Sequence, residues 1–131
     1  MRPQRAVPLL RVPDVARSSA WYRDTLGFDV DPFPATPPYD FAILRHGPAE
    51  LMLSCSDVAR PAAWEGWDVY LRLESGLRDL YARLRPLGVV TRRLERMFYG
   101  LAEFEVRDPD GYVICLSEHL ADASDLPTPE A

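Results

Sequence analysis

Residues 104–118, FEVRDPDGYVICLSE, contain Cys115, whose thiol could bind a metal ion or line a ligand pocket. The turn sequence DPDG at 108–111, flanked by strand-forming residues, predicts two strands joined by a tight turn. Because successive side chains of a strand point to opposite faces, Cys115 shares a face with Val113 and Ser117. Cys115 is therefore either a metal ligand or a thiol in the wall of a pocket.

Three further strand-like segments, AVPLLRV, AELMLSC and WDVYLRL, show the same alternation. Their apolar positions, for example Leu51, Leu53 and Cys55, predict a face that packs under a helix. The opposite face carries Arg11, Glu50, Ser54, Asp68, Tyr70, Arg72 and Cys115, set among Val7, Leu9, Met52 and Val113. Such a mixed concave face suits a ligand pocket, and a subunit interface or a solvent-exposed face is the alternative.

Two carboxylates on this face, Glu50 and Asp68, allow two kinds of chemistry. In a partly desolvated cup they would attract an ammonium or guanidinium ligand, unless Arg11 or Arg72 neutralises them. Either carboxylate could instead act as a general base on a bound carbonyl compound.

An internal repeat must position these residues. The first copy is a strand followed by a helix, with Asp14 as N-cap and Gly27 after the last turn. About 61 positions later, a second strand and helix repeat this pattern. Ser75 is the predicted cap of the second helix, and Pro86 ends it.

Three more strand-like runs follow each helix, so each half reads as βαβββ. The prediction is an α+β fold built from two such modules. One domain spans residues 1–121, with module one at about 5–55, a linker at 56–66, module two at about 67–119, and a tail at 122–131.

Composition narrows the function classes. The 131 residues carry a net charge of −5, which disfavours a nucleic-acid partner because phosphate binding needs a basic surface. No apolar run is long enough to span a bilayer, and the N-terminus lacks a signal-peptide pattern. Cys55 and Cys115 form no CxxC pair, so we expect a cytoplasmic protein with reduced thiols.

The opening VPLLRVPDVARSSAWYRDTLGF, the repeat and the closing FEVRDPDGYVICLSE resemble the vicinal oxygen chelate superfamily. That superfamily comprises glyoxalase I, the bleomycin resistance proteins and the extradiol dioxygenases. The resemblance implies paired βαβββ modules that form a cupped, eight-stranded mixed sheet. In many members two chains form a homodimer with pockets at its interface. Because this fold hosts several activities, it does not identify a substrate.

Metal-dependent members place one ligand on each of four strands, and the resemblance maps these positions to Val7, Glu50, Asp68 and Cys115. Glu50 matches the glyoxalase pattern, whereas Val7 has no donor atom and Asp68 and Cys115 are departures. Two carboxylates with one thiol are an unfavourable ligand set. His46 and His119 are expected on the surface, so we predict no metal and no other cofactor.

The second half most resembles the bleomycin resistance proteins, which bind their drug without transforming it. The sequence therefore predicts a metal-free small-molecule binder, with an aromatic ligand that is cationic if the carboxylates keep their charge. The alternatives are a glyoxalase- or dioxygenase-like enzyme with an altered metal site at Glu50, Asp68 and Cys115, or a metal-independent lyase or isomerase. The predicted ligand-binding residues are Arg11, Phe41, Glu50, Met52, Trp64, Trp67, Asp68, Tyr70, Arg72, Phe98, Tyr99 and Cys115.

Overall fold

A computed structural model describes residues 1–57 and 66–130. The chain divides into two units, Met1–Trp64 and Glu65–Ala131. Because residues 58–65 are not described, most of the predicted linker and the predicted ligand-binding residue Trp64 lie outside the described residues.

The first unit is one βαβββ module. It contains β1 (Leu9–Val12), α1 (Val15–Leu26), β2 (Asp29–Phe33), β3 (Phe41–His46) and β4 (Ala49–Cys55). The sheet order is β1-β4-β3-β2, with β1 parallel to β4 and the other pairs antiparallel.

The ends of α1 follow directly from local sequence. The Asp14 side chain accepts a hydrogen bond from the Arg17 amide at 3.0 Å and so satisfies one of the free amides at the helix start. Gly27 ends the helix at φ 76°, a left-handed conformation that glycine adopts without steric cost. Both predicted helix signals are confirmed.

The second unit repeats the module. It contains β5 (Val69–Leu73), α2 (Leu77–Leu84), a 3-10 turn (Arg85–Leu87), β6 (Val90–Arg96), β7 (Ala102–Arg107) and β8 (Val113–Glu118). Its sheet order, β5-β8-β7-β6, repeats the topology of the first sheet. The α+β class and the twofold βαβββ order are thus confirmed, with the eight strands divided between two four-stranded mixed sheets.

The predicted cap of α2 is wrong. Gly76, not Ser75, occupies the N-cap position, and no side chain caps from that residue. Instead the Glu118 side chain at the end of β8 accepts a hydrogen bond from the Leu77 amide at 2.9 Å. A carboxylate from a distant strand therefore satisfies the start of this helix and favours its dipole.

In each unit the helix-facing side of the sheet is apolar. Leu51 and Leu53 in the first unit and Phe104 and Leu116 in the second are buried, as the alternation predicts. Full burial of each such side chain stabilises the fold by about 1.5–3 kcal/mol. Cys55, predicted on this face, is exposed because it is the last residue of β4, beyond the buried stretch.

The tail lies against the second unit. The Arg96 amide, at the end of the edge strand β6, donates to the Pro127 carbonyl at 2.8 Å. The Arg78 guanidinium forms two hydrogen bonds to the Asp125 carboxylate, at 2.8 and 2.9 Å. Neither α-helix is long and apolar enough to cross a bilayer, among the residues described.

Candidate functional site

The side of the second sheet that faces away from α2 carries a row of polar residues on each strand. In the strand register, Tyr70 is opposite Cys115, which is opposite Glu105, and Arg72 is opposite Ser117, which is opposite Glu103. Arg92 on β6 pairs with Glu105. Paired residues share a face, so the sheet brings these side chains together; we call this surface the polar face.

Arg92 is the centre of the charge network on the polar face. Its Nε is 2.6 Å from Glu105, and its two terminal nitrogens are 3.1 Å from Glu95 and 2.9 Å from Glu103. The same nitrogens also reach the sulfurs of Met97 at 3.7 Å and Cys115 at 3.9 Å. These five contacts match the five N–H donors of a guanidinium, so Arg92 has no donor left for an anionic ligand.

Glu103 is fully buried beside Arg92. Its Oε2 accepts a hydrogen bond from the Tyr70 hydroxyl at 2.9 Å, and its Oε1 accepts from Arg92. Glu103 also interacts electrostatically with the Tyr99 phenol and the Cys115 thiol. Each oxygen of the Glu103 carboxylate therefore has a donor within the protein.

These surroundings shift the pKa values of the neighbouring groups. Burial raises the pKa of the Cys115 thiol, and the charge of Glu103 raises it further. Burial also raises the pKa of Tyr70 and Tyr99, and nearby Glu103 raises both further, although Ser117 opposes the shift at Tyr70. For Arg92, burial alone would lower the pKa, but its carboxylate partners raise it overall. The site therefore holds neutral phenols and a neutral thiol around one ion-paired cluster.

Aromatic rings border this cluster on the exposed side. The Trp67 ring lies 5.0 Å from the Tyr70 ring, and the Arg72 guanidinium lies 5.9 Å from the Tyr70 ring centroid. In the turn between β6 and β7, the rings of Phe98 and Tyr99 are 4.9 Å apart. Tyr99 is 40% exposed, and Trp67 is exposed to a similar extent. Tyr99, Trp67 and Tyr70 thus offer ring surface to a ligand.

Phe98 turns toward a different part of the unit. It lines an open groove of about 780 Å³ between the β6–β7 turn and the tail, together with Met97, Leu101 and Leu120. Its side chain is 97% exposed. Phe98 thus adjoins the predicted site at the Tyr99 ring.

Four predicted residues of the first unit also share one face of their sheet. Arg11 and Phe41 both pair with Ser54, and Met52 and Glu50 lie on the same side of β4. The Glu50 carboxylate lies 3.3 Å from Arg45 and 3.5 Å from Arg5. Its charge is thus compensated by two arginines that the sequence analysis did not single out.

The four positions that the resemblance assigns to metal ligands do not suit a metal. Glu50 is ion-paired, and the Asp68 carboxylate accepts a hydrogen bond from the Val113 amide at 2.9 Å. Cys115 is a buried, protonated thiol, and Val7 has no donor atom. In the ranges 1–57 and 66–130, no three His, Cys, Asp or Glu side chains are grouped so that they could hold an ion. The residues at these four positions therefore do not fit the metal centre of the metal-dependent proteins that the sequence resembles.

The network residues Arg92, Glu95, Glu103 and Glu105 were missed from the sequence. A signal was present in LAEFEVRD, where Glu103 and Glu105 alternate with the buried Phe104 and Val106. The same rule that placed Tyr70 and Cys115 on the polar face would have placed both glutamates there.

Comparison with known proteins bears on the fold and the family. A family model described as the Glyoxalase/Bleomycin resistance protein/Dioxygenase superfamily matches residues 5–116. TioX from Micromonospora sp. ML1 is 21% identical with a TM-score of 0.73, covering 90% of this chain and 100% of that one. A bleomycin-binding protein complexed with bleomycin is 24% identical with a TM-score of 0.67, covering 90% and 100%.

A third solved structure, the lactoylglutathione lyase from Agrobacterium tumefaciens, is 19% identical with a TM-score of 0.66, covering 90% and 96%. At these identities the structural likeness shows the fold alone. No curated protein sequence gives a significant match.

Proposed function

Because the chain belongs to the glyoxalase/bleomycin resistance protein/dioxygenase superfamily, we propose that it is a metal-free binding protein of the bleomycin-resistance type. It sequesters an aromatic small molecule that carries positive charge and does not transform it. The chain's net charge of −5 and the excess of carboxylates over guanidinium around Arg92 favour such a cation.

The arrangement of the polar face carries this proposal. Trp67, Tyr70 and Tyr99 present rings at its exposed side, whereas Arg92 and Glu103 are paired with partners within the protein. A surface with accessible rings and internally satisfied charges can hold a planar ligand by stacking, at about 0.5–1.5 kcal/mol for each ring pair beyond area burial.

Calorimetric titration of the full chain with metal-free bleomycin tests the proposal. We expect saturable binding that Trp67→Ala weakens roughly three- to tenfold, as the loss of one stacking partner implies. Leu87→Ala, which removes another exposed apolar side chain of the same unit, should leave the affinity unchanged. If neither bleomycin nor a panel of aromatic cations binds, the proposal is wrong.

The proposal includes a cytoplasmic homodimer with the pocket at the dimer interface. The free thiols of Cys55 and Cys115 support a reducing compartment. The exposed apolar side chains of Leu9 and Phe33 support a surface that another copy covers. Light scattering coupled to size exclusion should give twice the mass of 14.9 kDa, and a monomer at all concentrations would contradict this part.

Metal content separates the binder from the enzymatic alternative. Elemental analysis of the purified chain should find far less than one metal ion per chain. One tightly bound Ni, Fe, Mn or Zn that is lost in Glu50→Ala would instead establish an altered metal site and overturn the proposal.

A further inference from the structure

The two arginines of the polar face differ in what their guanidinium groups contact. Arg92 donates to three carboxylates. Arg72 is exposed, and its guanidinium lies 5.9 Å from the centroid of the Tyr70 ring. Within residues 1–57 and 66–130, no carboxylate lies within ion-pair distance of Arg72. The contact with the ring, and not an ion pair with a described residue, therefore positions Arg72.

The Tyr70 ring beside Arg72 is held by two contacts of its own. Its hydroxyl donates to the buried Glu103 carboxylate at 2.9 Å, and the Trp67 ring packs against it at 5.0 Å between centroids. In the strand register, Glu103 is opposite Ser117, which is opposite Arg72. Tyr70 thus leans toward the row of the sheet that contains Arg72. The aromatic surface under the Arg72 guanidinium is therefore preorganised.

The position over the Tyr70 ring suits a cation. The face of an aromatic ring is negative, and it attracts a planar cation that lies over it. The proposed ligand is aromatic and positively charged, so the same attraction would hold it. Because one side of a ring has room for only one such group, the ligand and Arg72 exclude each other there.

We propose that Arg72 is an internal competitor that sets the affinity of this site for its cationic ligand. In the ligand-free protein, its guanidinium occupies the place over Tyr70 that the cationic group of the ligand takes in the complex. Binding moves Arg72 off the ring. The ligand that fits best carries a planar cation of similar size, an amidinium or a guanidinium, joined to an aromatic ring. The inference deepens the proposed binding function and rests on it.

An exposed guanidinium could instead receive an anionic group of a ligand. Carboxylates outnumber the Arg92 guanidinium three to one in the neighbouring cluster. This excess of negative charge disfavours an anion on the polar face and favours a cation. Benzoate, a planar anion, serves as the probe for this alternative, and benzamidinium serves as the planar cation.

NMR titration of the full chain with benzamidinium follows the displacement directly. The Cδ–H signals of Arg72, identified by their loss in Arg72→Ala, lie in the ring-current field of Tyr70 in the free chain. We expect them to move toward the position of a freely solvated arginine as benzamidinium is added, in step with the amides of β5. If they stay unchanged at saturation, the inference is wrong.

The Arg72→Ala variant tests the competition. Loss of the competing contact should raise benzamidinium affinity about two- to fivefold, the value of one exposed cation–π contact. The gain should persist at about 1 M salt, where the Debye length is about 3 Å, because a direct contact is removed and not only a distant charge.

Arg107→Ala is the matched control for charge. Arg107 is an exposed residue of β7 that shares a face with Glu105, so the variant removes an equal charge from the same side of the sheet without touching the Tyr70 ring contact. Any gain in benzamidinium affinity should be smaller than that of Arg72→Ala and should disappear at about 1 M salt. Equal gains in both variants at that salt concentration would contradict the competition.

Other results would also overturn the inference. One is benzamidinium affinity that is unchanged or lower in Arg72→Ala, or binding of benzamidinium to neither form. Another is benzoate binding that is tighter than benzamidinium binding and is lost in Arg72→Ala, which would make Arg72 an anchor for an anionic ligand.

These outcomes are separate from those of the proposed function. Bleomycin binding that leaves the Arg72 signals in place would contradict the inference alone. Displacement of Arg72 by benzamidinium without bleomycin binding would support the inference and contradict only the bleomycin-type function.

Discussion

Cys115 and Cys55 carry the same reactive group in opposite surroundings. Cys115 is fully buried beneath Arg92 and Glu103, with the pKa of its thiol raised first by burial, whereas Cys55 is exposed at the end of β4. The thiolate is the reactive form, so accessibility and pKa both protect Cys115. The thiol that the sequence places in a pocket wall has no exposed surface, and its sulfur lies 3.9 Å from the Arg92 guanidinium.

A thiol titration at pH 8 checks this difference. One cysteine per native chain should react rapidly with an aromatic disulfide reagent, and the second only after addition of denaturant. Cys55→Ser should abolish the fast reaction. A fast reaction that persists in Cys55→Ser would show that Cys115 is accessible.

Arg92 lies partly buried among three carboxylates, so the free energy of unfolding should be sensitive to its substitution. Arg92→Met would leave the buried Glu103 without its counter-ion, and we expect the free energy of unfolding to fall by about 3–5 kcal/mol. Urea denaturation measures this loss. The neighbouring Arg93→Met, which removes a more exposed pair 3.5 Å from Glu95, should cost under about 1 kcal/mol. Equal losses in both variants would contradict the network as described.

Alkaline pH should weaken the fold through the same cluster. Burial raises the pKa values of Tyr70, Tyr99 and Cys115, so the folded chain holds these protons more tightly than the unfolded chain. Their contribution is complete below the unfolded values, about 8.5 for cysteine and 10 for tyrosine, and is lost as pH rises through the folded values. The urea midpoint should be level to about pH 8 and fall above about pH 9, less steeply in Tyr99→Phe.

Among the secondary-structure elements, the two α-helices differ in which side chain accepts a hydrogen bond from the amides of the first turn. Asp14 caps α1 from the adjacent position, whereas Glu118 satisfies the first amide of α2 from the far end of β8. Local sequence predicts the first arrangement but not the second, because Glu118 is 41 residues away from Leu77. The same limit applies to the polar network, which depends on how β6 pairs with β7.

That pairing contains irregularities that strict alternation does not anticipate. Register shifts occur between Val90 and Arg92 and again between Arg92 and Glu95, so residues three apart meet on one side of the strand. The sequence therefore predicted the strands, the repeat and the faces of β5 and β8. It did not predict the ion cluster, because cluster geometry is set by bulges and cross-strand register.

The Glu118 contact leads to a direct test of α2. Glu118→Ala should lower the free energy of unfolding by about 1 kcal/mol, the usual value of an N-terminal helix cap. Ser75→Ala should have almost no effect, because that side chain does not cap the helix. If urea denaturation shows a larger loss for Ser75→Ala than for Glu118→Ala, then Ser75 is the helix cap, as the sequence predicts.

In the molecule as a whole, the tail pairs with one edge of the second sheet. β6 is one of the two edge strands of that sheet, and Pro127 accepts a hydrogen bond from its Arg96 amide. An uncovered edge strand can pair with other chains. A chain truncated after Ala121 should therefore self-associate more readily, as measured by light scattering. Arg78→Gln removes the exposed contacts to Asp122 and Asp125 but leaves the Arg96–Pro127 hydrogen bond, so it should not have this effect.

The parallel pairing of the first and last strands of each module bears on how the protein is made. Leu9 lies beside Met52 and Val12 beside Cys55, so the first sheet cannot close until the nascent chain has emerged from the ribosome past residue 55. From that point the N-terminal module has all its strands, while the C-terminal one is still being translated. The repeat thus divides synthesis into two successive steps, which shortens the time for which either set of apolar strands waits without its partners.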